Sequence, residues 1–245
     1  MNPGNKSVET SPNVYARIGG MLYLVIILAG MFSVIVVRDK MIVSGDAAAT
    51  ANNIMASPLL WRFGIACDLL MHLCDIPVMW VVYLLLRPVN KNLALLALLF
   101  NLIQTAVLVT NKLNLLTPLF LLSNADYLKA FNPQQLHSMI YLSVKAHDYG
   151  FGVALLFFGL VCIVNGYLII KSDYLPKLIG VMLQIAGVCY LISNFSLILA
   201  PSFSNKLFPV LMIPVLIAET SFCFWLIIKG VNITKWNERV LAGRD

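Results

Sequence analysis

Six stretches of the chain, 16–37, 59–86, 93–123, 136–170, 178–200 and 209–229, are long and nearly free of charge. A helix needs about 20 apolar residues to cross the hydrocarbon core of a bilayer. Each stretch therefore reads as one membrane span. The third and fourth are too long for a perpendicular crossing, so tilt or projecting ends are expected. The expected fold is all-α: a polytopic membrane protein built as a six-helix transmembrane bundle. An even number of spans puts both termini on one side.

Composition agrees. Of 245 residues, 60% are hydrophobic and 11% charged, and the mean hydropathy is +0.86. A soluble domain carries roughly 25% charged residues. A water-soluble fold, a disordered chain, a coiled coil and a small disulfide scaffold are excluded together. Cys67, Cys74, Cys162, Cys189 and Cys223 all fall within apolar stretches without a C-x-x-C pair, and read as small buried hydrophobes. The net charge of +6 forms no basic cluster, so no nucleic-acid partner is expected; it sets topology instead.

Lys6, Arg17, Arg87, Lys91, Lys171, Lys177, Lys229, Lys235, Arg239 and Arg244 flank the spans on the side of the termini, ten in all. Arg38, Lys40, Lys129 and Lys206, four in all, lie opposite; Arg62, Lys112 and Lys145 fall within spans. Positive residues collect on the cytoplasmic side, so both termini are expected in the cytoplasm. The organisation expected is a cytoplasmic tail over 1–15, one transmembrane domain over 16–230 and a second cytoplasmic tail over 231–245. The apolar run near the N-terminus is about 22 residues long, against 7–15 in a cleaved signal, and reads as a retained span.

Between spans one and two, the outer loop 38–58 holds Gly45-Asp46-Ala47-Ala48-Ala49. Asp46 is a candidate N-cap for a short surface helix, read as a connector, with a lid over the bundle mouth as the alternative. The short basic turns 87–92 and 171–177 make spans two and three, and spans four and five, antiparallel neighbours.

Several segments resemble one family. Ala16-Arg17-Ile18-Gly19-Gly20-Met21-Leu22-Tyr23 is one; others are 45–54, the run Leu86-Arg87-Pro88-Val89-Asn90-Lys91-Asn92-Leu93, and His147 to Gly150 with Gly166-Tyr167-Leu168. Lys171 to Val181, and Glu219 leading to Trp225-Leu226 and Lys229-Gly230-Val231, complete the likeness. From about 14 to 232 the chain resembles a bacterial six-span family catalogued as domain of unknown function 4386. The resemblance implies an integral protein of the bacterial cytoplasmic (inner) membrane. It carries over no activity and no residue roles.

Ionisable side chains within a span cost a few kcal/mol each, so each is a site candidate. Asp68, His72 and Asp75 are four and three residues apart and share one face of span two. Span three aligns Asn101, Gln104, Asn111 and Lys112. Span four puts Tyr141, Lys145 and Asp148 on one face and His147 on another, and span six brings Glu219. At about 1.5 Å per residue, Asp68, Lys112, Lys145, Asp148 and Glu219 fall about 14–18 Å below the outer edge. This single layer would hold Asp68, Asp75, Asp148 and Glu219 against Lys112 and Lys145, leaving two carboxylates without a cation. A surplus buried carboxylate takes a proton, a protonated histidine or a cation.

The leading reading is a protein that binds or transports a small solute or cation with proton coupling, without a cofactor. Asp68 and Asp75 would titrate, with Lys112 and Lys145 as counter-ions. The alternative is an intramembrane hydrolase of lipid-like substrates holding a divalent metal through Asp68, His72, Asp75 and His147. Against it, no H-E-x-x-H occurs and only three histidines are present. A membrane scaffold with a structural polar core is the third reading. The expected partners are the lipid bilayer and a small solute or cation, with oligomerisation left open.

Overall fold

The computed structural model describes residues 11–242. Lys6 and Arg244, used in the charge comparison, lie outside the described residues. All regular structure within them is helical, and six helices are long and apolar enough to cross a membrane. These are α1 (Pro12–Met41), α3 (Pro58–Leu86), α4 (Lys91–Leu121), α5 (Pro133–Ser172), α6 (Lys177–Leu199) and α7 (Pro201–Ile228); α2 (Ala47–Ala56) and α8 (Ile233–Ala242) are short. The spans pack in a closed ring, α1 to α3, α4, α5, α6, α7 and back to α1. Large apolar side chains such as Leu28, Leu73, Leu142 and Ile213 point away from the ring, as contact with lipid requires. The protein is a multi-pass integral membrane protein.

Local chemistry sets the helix ends. Asn90 accepts from the Leu93 N–H, and Asn132 and Gln135 form a reciprocal capping box at the start of α5. Asp46 accepts from the Ala49 N–H at 2.8 Å, so α2 begins where the sequence places its cap. The helix α1 continues past Val37, the expected end of the first span, through a π-helical stretch over Phe32–Arg38. Single-turn widenings of this kind often mark functional positions. This one carries Arg38 inward. At 40 residues α5 is about 60 Å long, twice the hydrocarbon thickness, and its far end projects.

The closest helix contact joins α5 and α6. A Cβ added at Gly180 would lie 2.6 Å from the Gly166 carbonyl oxygen, and one at Gly159 2.9 Å from the Gly187 carbonyl oxygen. Two glycine pairs seven residues apart bring the backbones together, which favours dispersion where lipid supplies no hydrophobic drive. On the terminal side, Tyr174 in the α5–α6 turn donates to the Leu85 carbonyl at 2.6 Å. Burial pushes this phenol well above its ordinary range, so the hydroxyl stays a donor. On the far side, α2 folds over the bundle with Thr50, Ala51 and Ile54 buried. Ile54 joins an apolar cluster with Val37, Trp61, Leu115, Ile140 and Val144. Tyr141 accepts from the Gly45 N–H at 2.7 Å. The connector thus packs against the far end of the bundle.

Candidate functional site

The polar interior divides into two regions at different depths. The first lies under α2 in the far half. Asp68, fully buried on α3, receives Arg38 Nη1 at 2.6 Å and Lys112 Nζ at 2.9 Å on the same oxygen, Oδ2. Lys112 also sits 3.3 Å from His147 Nε2 and 5.9 Å from the centre of the Phe151 ring. The chain places His147 there because Ile140, Val144, His147 and Phe151 recur at helical spacing along the packed face of α5. Asn111 donates to the His147 carbonyl at 2.8 Å. Two basic side chains thus converge on one carboxylate, with two histidines beside them. Asp68 Oδ1, His72 Nε2 and His147 Nδ1 are buried without hydrogen-bond partners among the described residues.

The second region lies nearer the middle. Measured from the terminal-side ends of their helices, Asp75, Tyr23, Asn101 and Glu219 stand about 14 to 17 Å deep, against about 27 Å for Asp68 and about 32 Å for Lys112. Thr105 donates to Asp75 Oδ2, with Asn101 also beside it. Tyr190 donates to Glu219 Oε1 at 2.5 Å, with Tyr23 adjacent. Asp75, Tyr23, Asn101, Asn165, Cys162 and Phe158 line a cavity of about 60 Å³, room for a few water molecules. Among the described residues, neither Asp75 nor Glu219 forms an ion pair. Both keep part of their surface accessible, and of the two Asp75 lines the cavity.

The expected single layer is therefore corrected to two. Asp68, His72, Asn111, Lys112 and His147 gather in the far half; Asp75 lines the central cavity, and Glu219 stands behind its wall, against Tyr23 and Tyr190. Gln104, buried, accepts from Thr105 at 3.4 Å and stands between the two on α4. Lys145 is in neither, and Asp148 touches only the edge of the far cluster, its Oδ1 3.8 Å from His147 Nδ1. They pair with each other at 3.7 Å, both 44% exposed, with Lys145 over the Tyr141 ring. The face of α5 that looked polar in sequence turns outward, and His147, read as off that face, turns in. Lys145 stands about 40 Å from the terminal-side end of α5, beyond a 30 Å hydrocarbon core, so its exposure carries little penalty.

The metal candidates fare differently. Asp68, His72 and His147 are neighbours, but the Lys112 ammonium lies between Asp68 and His147, and Asp75 is two helical turns from Asp68. Among the described residues no three His, Cys, Asp or Glu side chains assemble as metal ligands. The four candidates therefore do not form one ligand set among the described residues.

Arg38, Thr105, Tyr23 and Tyr190 were missed in sequence. Arg38 was counted as a loop charge, yet no turn signal separates it from Val37 before Gly45. That continuity was the available clue. Single hydroxyl groups on apolar helices gave none.

Comparison with other proteins supplies a relative and a family. An uncharacterised protein of the archaeon Archaeoglobus fulgidus is 27% identical over 168 residues, covering 68% of this chain and 83% of the relative. No solved structure matches. The family profile described as Domain of unknown function (DUF4386) matches residues 18–230, and the chain belongs to that family.

Proposed function

We propose that the protein is a proton-coupled carrier of a small cation, with Asp75 and Glu219 as the groups that exchange the two. The observation that carries this reading is a pair of carboxyls near mid-membrane, Asp75 on the wall of the central cavity and Glu219 behind its Tyr23, held by hydroxyl and amide groups and, among the described residues, paired to no Lys, Arg or His. A carboxyl removed from water without a cation partner takes up a proton or binds a cation, and alternation between those states is the elementary step of exchange. Asp68, bridged by Arg38 and Lys112, is assigned a holding role at the far mouth in place of the titrating role read from sequence. The prolines inside the spans, Pro77, Pro118, Pro209 and Pro214, leave backbone carbonyls free for rearrangement.

We also read the protein as a resident of the bacterial inner membrane with both termini in the cytoplasm, supported by the excess of basic residues on the terminal side. A tag at either end that is digested only in inside-out vesicles would bear this out. The transport reading is tested with purified protein in liposomes that trap a pH-sensitive dye. Under an imposed pH gradient, at least one of Li⁺, Na⁺, K⁺ or Mg²⁺ added outside changes the internal pH, and Asp75→Asn and Glu219→Gln abolish the response. Equal responses from wild type and both variants, or none to any of these ions, would sink it.

A further inference from the structure

On the terminal side, the start of α1, the end of α3 and the helix α8 enclose a second cleft, of about 160 Å³, lined by Pro12, Tyr15, Leu84, Leu85, Arg87, Trp236 and Asn237. Its floor is apolar and its lip is polar. Arg87 is exposed and brings the one formal charge in the lining; no carboxylate lines it. The Trp236 indole N–H is shut away from solvent and has no acceptor among the described residues, a state a donor occupies at a cost unless something else supplies the acceptor.

The cleft also sits where a headgroup sits. Leu86 ends α3 and Pro12 begins α1, so the lip lies at the membrane boundary. The helix α8 is amphipathic: Ile233, Trp236 and Val240 share one side, while Lys235 and Arg239 share another. That is the pattern of a helix lying in the interface plane. It is held in place rather than trailing. Asn232 caps it through the Lys235 N–H at 3.2 Å, and the Asn232 N–H donates to the Tyr174 carbonyl at 3.1 Å.

We infer that this cleft binds the phosphate headgroup of an anionic phospholipid, with Arg87 pairing the phosphate, the Trp236 N–H donating to a phosphate oxygen, and the acyl chains running along Tyr15 and Leu84. An arginine and an indole N–H over an apolar floor match a charged group attached to hydrocarbon, and the floor offers nothing to a free ion.

Native mass spectrometry of the full-length protein in detergent tests this with phosphatidylglycerol, phosphatidylcholine and inorganic phosphate as probes. Phosphatidylglycerol is expected to be retained in preference to phosphatidylcholine. Arg87→Gln and Trp236→Phe are each expected to reduce that retention about tenfold, with Arg87→Lys intermediate. Both positions lie on exposed terminal elements, and size-exclusion profiles identical to wild type establish that the variants fold. Equal retention of the two lipids, or retention unchanged in both variants, overturns the site. Displacement of phosphatidylglycerol by inorganic phosphate at comparable concentration overturns the lipid as its source.

Discussion

The far cluster and the central cavity use the same kinds of groups in opposite ways. At Asp68 one carboxylate is held by two cations. At Asp75 and Glu219 two carboxyls are held, among the described residues, by hydroxyl and amide donors without a cation. Breaking a buried ion pair leaves a charge that nothing compensates, whereas exchanging a neutral carboxyl for an amide of the same shape leaves packing nearly intact. The far cluster should therefore govern stability, and the cavity should govern exchange.

The largest expected effect falls on that contrast. Asp68→Asn leaves Arg38 and Lys112 facing each other and should destabilise the protein by about 3–5 kcal/mol, read as a lowered unfolding temperature in detergent. Lys112→Met, which leaves the Arg38 pair in place, should lose less. If Asp75→Asn proved as destabilising as Asp68→Asn, the division of labour between the two regions would be wrong. Next comes Gly180→Leu, whose side chain must push α5 and α6 apart at the Gly166 carbonyl. It should cost about 1–3 kcal/mol by the same melting assay and act on both regions alike, because it touches neither. Removing the cap of α2 with Asp46→Ala should cost about 1 kcal/mol and speed hydrogen exchange in Ala47–Ala56 ahead of the spans. That result would sharpen the picture of α2 as a cover over the far cluster. Smallest is Lys145→Gln. Its partner is exposed, and surface pairs contribute about 0–1 kcal/mol, so neither melting nor exchange should change.

The spans were legible because twenty apolar residues in a row leave a chain few choices, and the cap at Asp46 because its chemistry is local. The candidate site was legible only in its parts. Spacing put Asp68, His72 and Asp75 on one face of α3, and they are on one face. It could not say that Asp75 turns to a hydroxyl from α4 while Asp68 turns to two cations, because those partners come from other helices. On α5 the polar residues themselves misled. Lys145 and Asp148 define a face as regular as the packed one, but Ile140 and Val144 define the one that is buried. The apolar neighbours carried the signal for His147. The π-helical turn that delivers Arg38 has no sequence mark beyond the lack of a break after Val37.

The central claim, that Asp75 and Glu219 carry their own protons for want of a counter-charge, is tested most directly by infrared spectroscopy of the reconstituted protein near neutral pH. The account predicts a carbonyl band from protonated carboxyl groups, reduced in Asp75→Asn, reduced in Glu219→Gln, absent from the double variant and unchanged in Lys145→Gln. A spectrum with no such band, or a band that survives the double variant, would contradict it.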